Sequence, residues 1–170
     1  YESYGFRPFI STLRLMKDSP TLLGTSNGSL PGATYQTNYD EMLAFMETHL
    51  WDKWYNKDLD EIYRVNTHMT SHWARIAMEL HAITGTQQYL DVFNNISFAG
   101  FPASEPDAGA NLRDLMVTQG DGAIFWDSSW FCTPCGNWQD TSHASDLYDF
   151  WLMAYDLGYY WTLTDITGFK

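Results

Sequence analysis

Between residues 66 and 93 the chain reads NTHMTSHWARIAMELHAITGTQQYLDVF, two runs of helical period separated by only Ile83-Thr84-Gly85-Thr86. This stretch constrains the fold more than any other. Apolar positions recur every three or four residues, which predicts a helix over 68–83. Thr67 reads as its cap and Gly85 as its stop. A second helix starts after Thr86, turns Tyr89, Leu90 and Phe93 inward, and ends near Ser97. So short a connection forces the two into an antiparallel hairpin.

The same period governs most of the chain. A helix is expected over 6–16, broken by Pro20 and the GTSNGSLPG stretch at 24–32. Another is expected over 39–55, with Asn38 as cap and Met42, Phe45, Met46 and Leu50 on one face. A short helix is expected over 112–117 and a long one over 142–157, with the irregular QGDGAIFWDSSWFCTPCGNW between them. The expectation is an all-α domain spanning 1–170, built of antiparallel helical hairpins as a partial (α/α) toroid. Thr164-Asp165 reads as the cap and first turn of a further helix near the chain's end. That predicts completion by the remainder of the same chain or by another copy in a homo-oligomer.

With 45% hydrophobic residues the 170-residue chain can bury a core, and its 17% aromatic content exceeds what a core of ordinary composition holds. Nine basic residues against 21 acidic ones give a net charge of -12. That field repels nucleic acid and anionic membrane, so neither is expected as a partner. No stretch reads as a membrane span or a signal peptide. Cys132 and Cys135 lie in a Pro/Gly/Trp-rich loop, a context that suits a local disulfide better than redox chemistry. Asn27 and Asn95 each open a glycosylation sequon. Together these features point to an extracytoplasmic protein.

Three stretches concentrate polar and aromatic side chains. His68, His72 and Arg75 fall at i, i+4 and i+7, one stripe of a helix, with Asn66 just before it. The His-x-x-x-His spacing also suits zinc, but the position a metalloprotease fills with Glu is Met69, and no metal or cofactor is expected. In GDGAIFWDSSW, Asp121 and Asp127 flank Phe125, Trp126 and Trp130. Aromatic faces beside carboxylates suit a sugar-binding cleft, and an aromatic core loop fits the same residues. In WQDTSHASDLYDFW, His143 lies in the first turn of a helix between Asp140 and Asp146, beside Trp138. There Thr141 or Ser142 caps, Asp140 orients the ring, and the other ring nitrogen faces a substrate.

NTHMTSHWARIAMELHAITGTQQYLDVF resembles the helix pair of (α/α)-toroid carbohydrate-active enzymes. WQDTSHASDLYDFWLMAYDLGYYWTLTDI resembles a segment of polysaccharide lyase-like toroids acting on uronate polymers. The resemblance covers about residues 66–166, and Gln139 stands where that family has an acid. It implies β-elimination on a polysaccharide: a base removes the C5 proton of a uronate while neighbours neutralise its carboxylate. Asn66, His68, His72, Arg75 and His143 have the right chemistry, and Tyr148 or Tyr63 would protonate the leaving oxygen. Trp126, Asp127, Trp130, Trp138, His68 and Asp140 would bind substrate. A glycoside hydrolase using Asp127 and Asp140, or a non-catalytic glycan-binding subunit, are the alternatives.

Overall fold

A computed structural model describes residues 2–29, 31–57, 61–130 and 136–169. It is mostly helical. Helix α1 spans Glu2–Lys17, α2 Pro20–Leu23, α3 Tyr35–Phe45, α4 Asp52–Tyr55, α5 Thr67–Thr84 and α6 Gln87–Asn94. Then come α7 Leu112–Leu115, α8 Thr141–Asp156 and α9 Leu163–Thr167. Strands β1, Val117–Thr118, and β2, Ile124–Phe125, form an antiparallel pair with Val117 opposite Phe125.

Helix α5 is the axis. Ala74, Ile76, Ala77, Met78 and Leu80 are fully buried because α1, α6 and α8 pack around it. A helix that is apolar on most sides belongs at the centre of a domain. Each such buried aliphatic side chain contributes about 1.5–3 kcal/mol relative to exposure. Gly85 ends α5 at φ 74°, a left-handed conformation that glycine takes without a side-chain clash, and α6 returns antiparallel.

Several boundaries differ from those the pattern predicts. The residue preceding α5 is Asn66, not Thr67; the Thr67 hydroxyl instead meets the Asp127 carbonyl at 3.2 Å and Gln139 at 2.9 Å. These bonds staple the start of α5 to the loop before α8. Helix α1 begins four residues before Phe6 and runs through Pro8. Helix α3 begins after Thr34, so Asn38 lies within it, and a π-helical turn, Met46–Trp51, joins it to α4. That turn buries Met46, Leu50 and Trp51 together and leaves Phe45 exposed. A second π-helical turn, Asn95–Ala99, extends α6. Thr162, not Thr164, caps α9, with Asp165 completing a reciprocal capping box.

The end of α9 positions an aromatic layer. The Gly168 carbonyl accepts from the Ile124 amide at 2.9 Å. A Cβ on Gly168 would lie 2.3 Å from the Ile124 side chain, which would have to move aside for any other residue. Phe169 thereby stacks on Trp151 at 4.5 Å and edges against Trp126 at 5.3 Å.

Candidate functional site

Helix α5 carries His68 and His72 one turn apart, facing the N-terminal end of α8. Their rings lie 6.4 Å apart, and the His143 ring of α8 lies 4.1 Å from His68. The three form a row from interior to surface. His72 is buried, His68 half-buried, and His143 has 47% of its side chain open.

Asp140 fixes the outer end. It is the cap of α8, where the sequence suggested Thr141 or Ser142: its Oδ1 accepts from the amides of Ser142 at 3.0 Å and His143 at 3.2 Å. Its Oδ2 lies 2.5 Å from His143 Nδ1, which orients the ring and leaves Nε2 as the other ring nitrogen. The Ser142 hydroxyl, then the His143 side chain, hold the Asp140 carboxyl far below the usual carboxylate range.

Asp146 fixes the inner end. It accepts from Arg7 Nη1 at 2.8 Å. His72 Nε2 lies 3.2 Å from Asp146 Oδ2, near enough for an ion pair once protonated but off the line of a well-directed hydrogen bond. Tyr4, one turn before Arg7, places its ring 5.4 Å from His72 and under the Arg7 guanidinium at 4.4 Å. Burial, then the Arg7 charge, push His72 down to about 4, although Asp146 opposes them. His72 is therefore neutral at neutral pH. His68 is also lowered, by burial first and then by His143. Burial alone would raise Asp146, but its bond to Arg7 and the nearby His72 ring bring it below the ordinary value.

Other residues singled out by sequence stand elsewhere. Arg75 is not free for substrate: it bonds Asp149, Ser11 at 3.1 Å and the fully buried Glu79 at 3.2 Å. Asn66 opens on a separate hollow with Tyr63, Arg64 and Asp107. Tyr63 is buried and accepts from Asn95 Nδ2 at 3.1 Å; burial raises its hydroxyl to about 12, poor for an acid at neutral pH. Asp127 is 1% exposed and Trp130 6%, so both belong to the core and neither can reach a glycan. Trp130 donates to the Arg64 carbonyl at 2.6 Å and edges against Phe101. That removes the Asp127/Asp140 pair as flanking carboxylates of a hydrolase.

The sequon at Asn95 sits in the second π-helical turn, with Ser97 fully buried and the Asn95 side-chain amide donating to Tyr63 at 3.1 Å. Asn27 lies in a loop, where its Oδ1 accepts from the Ser29 amide at 3.0 Å. Cys132 and Cys135 lie outside the described residues. Among the described residues no group of His, Cys, Asp and Glu is arranged to hold a metal ion, and no helix is long and apolar enough to cross a membrane.

Two hollows flank α8. On one side Phe125, Trp126, Tyr148 and Phe169 line a groove of about 350 Å³ whose rim carries Gln139, Thr141 and Ser145. On the other, Tyr4, Arg7, Arg75, Asp146 and Asp149 line a wider one of about 670 Å³ between α1 and α8. Tyr148 thus faces the aromatic side, away from the histidine row, because residues five apart on a helix point in different directions. The tyrosine beside the histidines is Tyr4, which a helix expected to begin at Phe6 left out; its only sequence signal is the i, i+3 spacing to Arg7.

No family model, curated protein or solved structure matches this chain. Its chemistry rests on the geometry above.

Proposed function

We propose that this chain is a carbohydrate-active protein of the polysaccharide lyase kind, cleaving a uronate glycan by β-elimination as an extracytoplasmic protein. The observation that carries the reading is the histidine row, open at His143 and closed at its inner end by Tyr4, Arg7 and Asp146. His143, oriented through Nδ1 by Asp140, takes the C5 proton on Nε2. Electrons move into the C4–C5 bond, the C4–O bond breaks, and the leaving oxygen gains a proton. His68, whose ring lies 4.1 Å from that of His143, is the neighbouring donor that can hydrogen-bond the uronate carboxylate. Tyr4, 56% exposed, is the hydroxyl suited to protonate the leaving oxygen.

A partial (α/α) toroid, which the helical hairpins are consistent with, would present such a row on its inner wall. His143→Ala should abolish the rise in ultraviolet absorbance that unsaturated uronates give, with the helical circular dichroism unchanged. Retention of that rise in the variant would remove His143 as the base, and its absence in the parent protein on every polyuronate would remove the lyase reading. The second reading, a glycan-binding subunit without turnover, is favoured by the exposed aromatic side chains beside α8.

A further inference from the structure

The groove of Phe125 and Tyr148 adjoins a second hollow of about 530 Å³, bounded by Gln119, Asp121, Phe125 and Trp138. Phe125 belongs to both, and its ring lies 5.9 Å from that of Trp138. Trp138 and Phe125 are each 41% exposed and Tyr148 40%, an exposure unusual for three large rings in one neighbourhood. Both hollows fall within or near the size range of small-molecule sites. Around the rings stand the neutral hydrogen-bonding groups Gln119, Gln139, Thr141 and Ser145, together with one carboxylate, Asp121. Among the described residues no Lys or Arg lines either hollow.

We infer that these two hollows form one binding platform for a glycan chain, holding at least two consecutive sugar rings by their C–H faces and hydroxyls without ionic contacts. Sugar faces match exposed aromatic rings, and sugar hydroxyls match a rim of amides and alcohols; an apolar peptide would leave that rim unused. The inference rests on the glycan part of the functional reading and is independent of β-elimination. It also answers a physical objection to that reading. A chain of net charge -12 repels a polyuronate at long range. Stacking on uncharged rings holds such a polymer without needing the opposite charge the protein lacks.

The salt dependence follows. An ionic site weakens as salt rises. A stacking platform on an acidic protein binds a neutral glycan equally at all salt concentrations and binds a polyuronate more tightly as repulsion is screened. The test is affinity electrophoresis and titration calorimetry of the whole chain with hydroxyethyl cellulose, a galactomannan and polyglucuronate, at low and at high salt. At least one should bind, and Trp138→Ala and Phe125→Ala should each weaken it at least tenfold with circular dichroism unchanged. Tyr35→Ala, which removes an exposed ring that lines neither hollow, should bind as the parent does, which separates the platform from a general loss of aromatic surface. Binding to none of the three overturns the inference. So does binding that weakens with salt or that survives both aromatic substitutions. A change in sedimentation mass on Trp138→Ala, with no glycan bound by the parent, would assign the surface to a second copy instead.

Discussion

The two sides of α8 differ in what their side chains are for. On the α1 side every charge has a partner within the fold: Arg7 with Asp146, Arg75 with Glu79 and Asp149, Arg14 with Glu79. On the β2 side, the rings of Phe125, Trp138 and Tyr148 keep about two-fifths of their surface in water. The first side is held together by its polar groups, and removing one strands another. The second leaves surface uncovered that a ligand can use. The two sides therefore have opposite meanings: satisfied charge marks structure, and uncovered aromatic surface marks recognition.

The largest expected effect breaks the charged side. Glu79 is fully buried and receives Ser11 at 2.8 Å, Arg14 at 3.2 Å and Arg75 at 3.2 Å. Glu79→Ala leaves buried guanidinium charge without its acceptor and should cost about 3–5 kcal/mol, read from the urea midpoint at constant m. A loss below about 1 kcal/mol would mean that the network contributes little and that the contrast between the two sides is wrong.

The next effect is titration. His72 is about 4 in the fold and near 6.5 in the unfolded chain. Between those values the unfolded chain binds the extra proton, so stability falls as pH drops from 6.5 towards 4 and is level in this respect above 6.5. The loss should be on the order of 2 kcal/mol between pH 7.5 and pH 5, with His68 adding in the same direction. Urea denaturation at pH 7.5 and pH 5 reads it, and His72→Gln should flatten the dependence. An equal slope in the variant would assign the pH response to other groups.

The smallest effect is on the aromatic side. Tyr148→Ala removes a ring whose neighbour is Phe169, edge-on at 5.7 Å, and whose surface is largely open. Stability should change by no more than about 0.5 kcal/mol, as for exposed positions generally. A loss of several kcal/mol in thermal unfolding would show that the ring serves packing and would remove it from the platform.

How far these features were legible in the sequence depended on whether their cause was local. The α5–α6 hairpin could be read nearly to the residue, since helical period and a glycine stop are written in neighbouring positions. Phe45 was expected inward and is exposed, because the π-helical turn at Met46–Trp51 departs from the 3.6-residue period on which the expectation rested. His68, His72 and His143 could be picked out one by one. Their partner Arg7 could not, because its bond to Asp146 spans 139 positions of chain. Asp127 and Trp130 resembled binding residues by type, and only packing shows that they are interior.

The first π-helical turn has a consequence for how this chain can vary in length. A π turn holds one more residue than an α turn over nearly the same rise. Losing a single residue there would restore a regular helix from α3 through α4 and leave Trp54 and Tyr55 facing nearly as they do, because the turn absorbs its extra residue. Tyr55, on which Trp51 stacks at 5.7 Å, would thus keep its side of the helix. Related chains that differ by one residue in this turn should therefore differ in length without compensating changes at Trp54 or Tyr55.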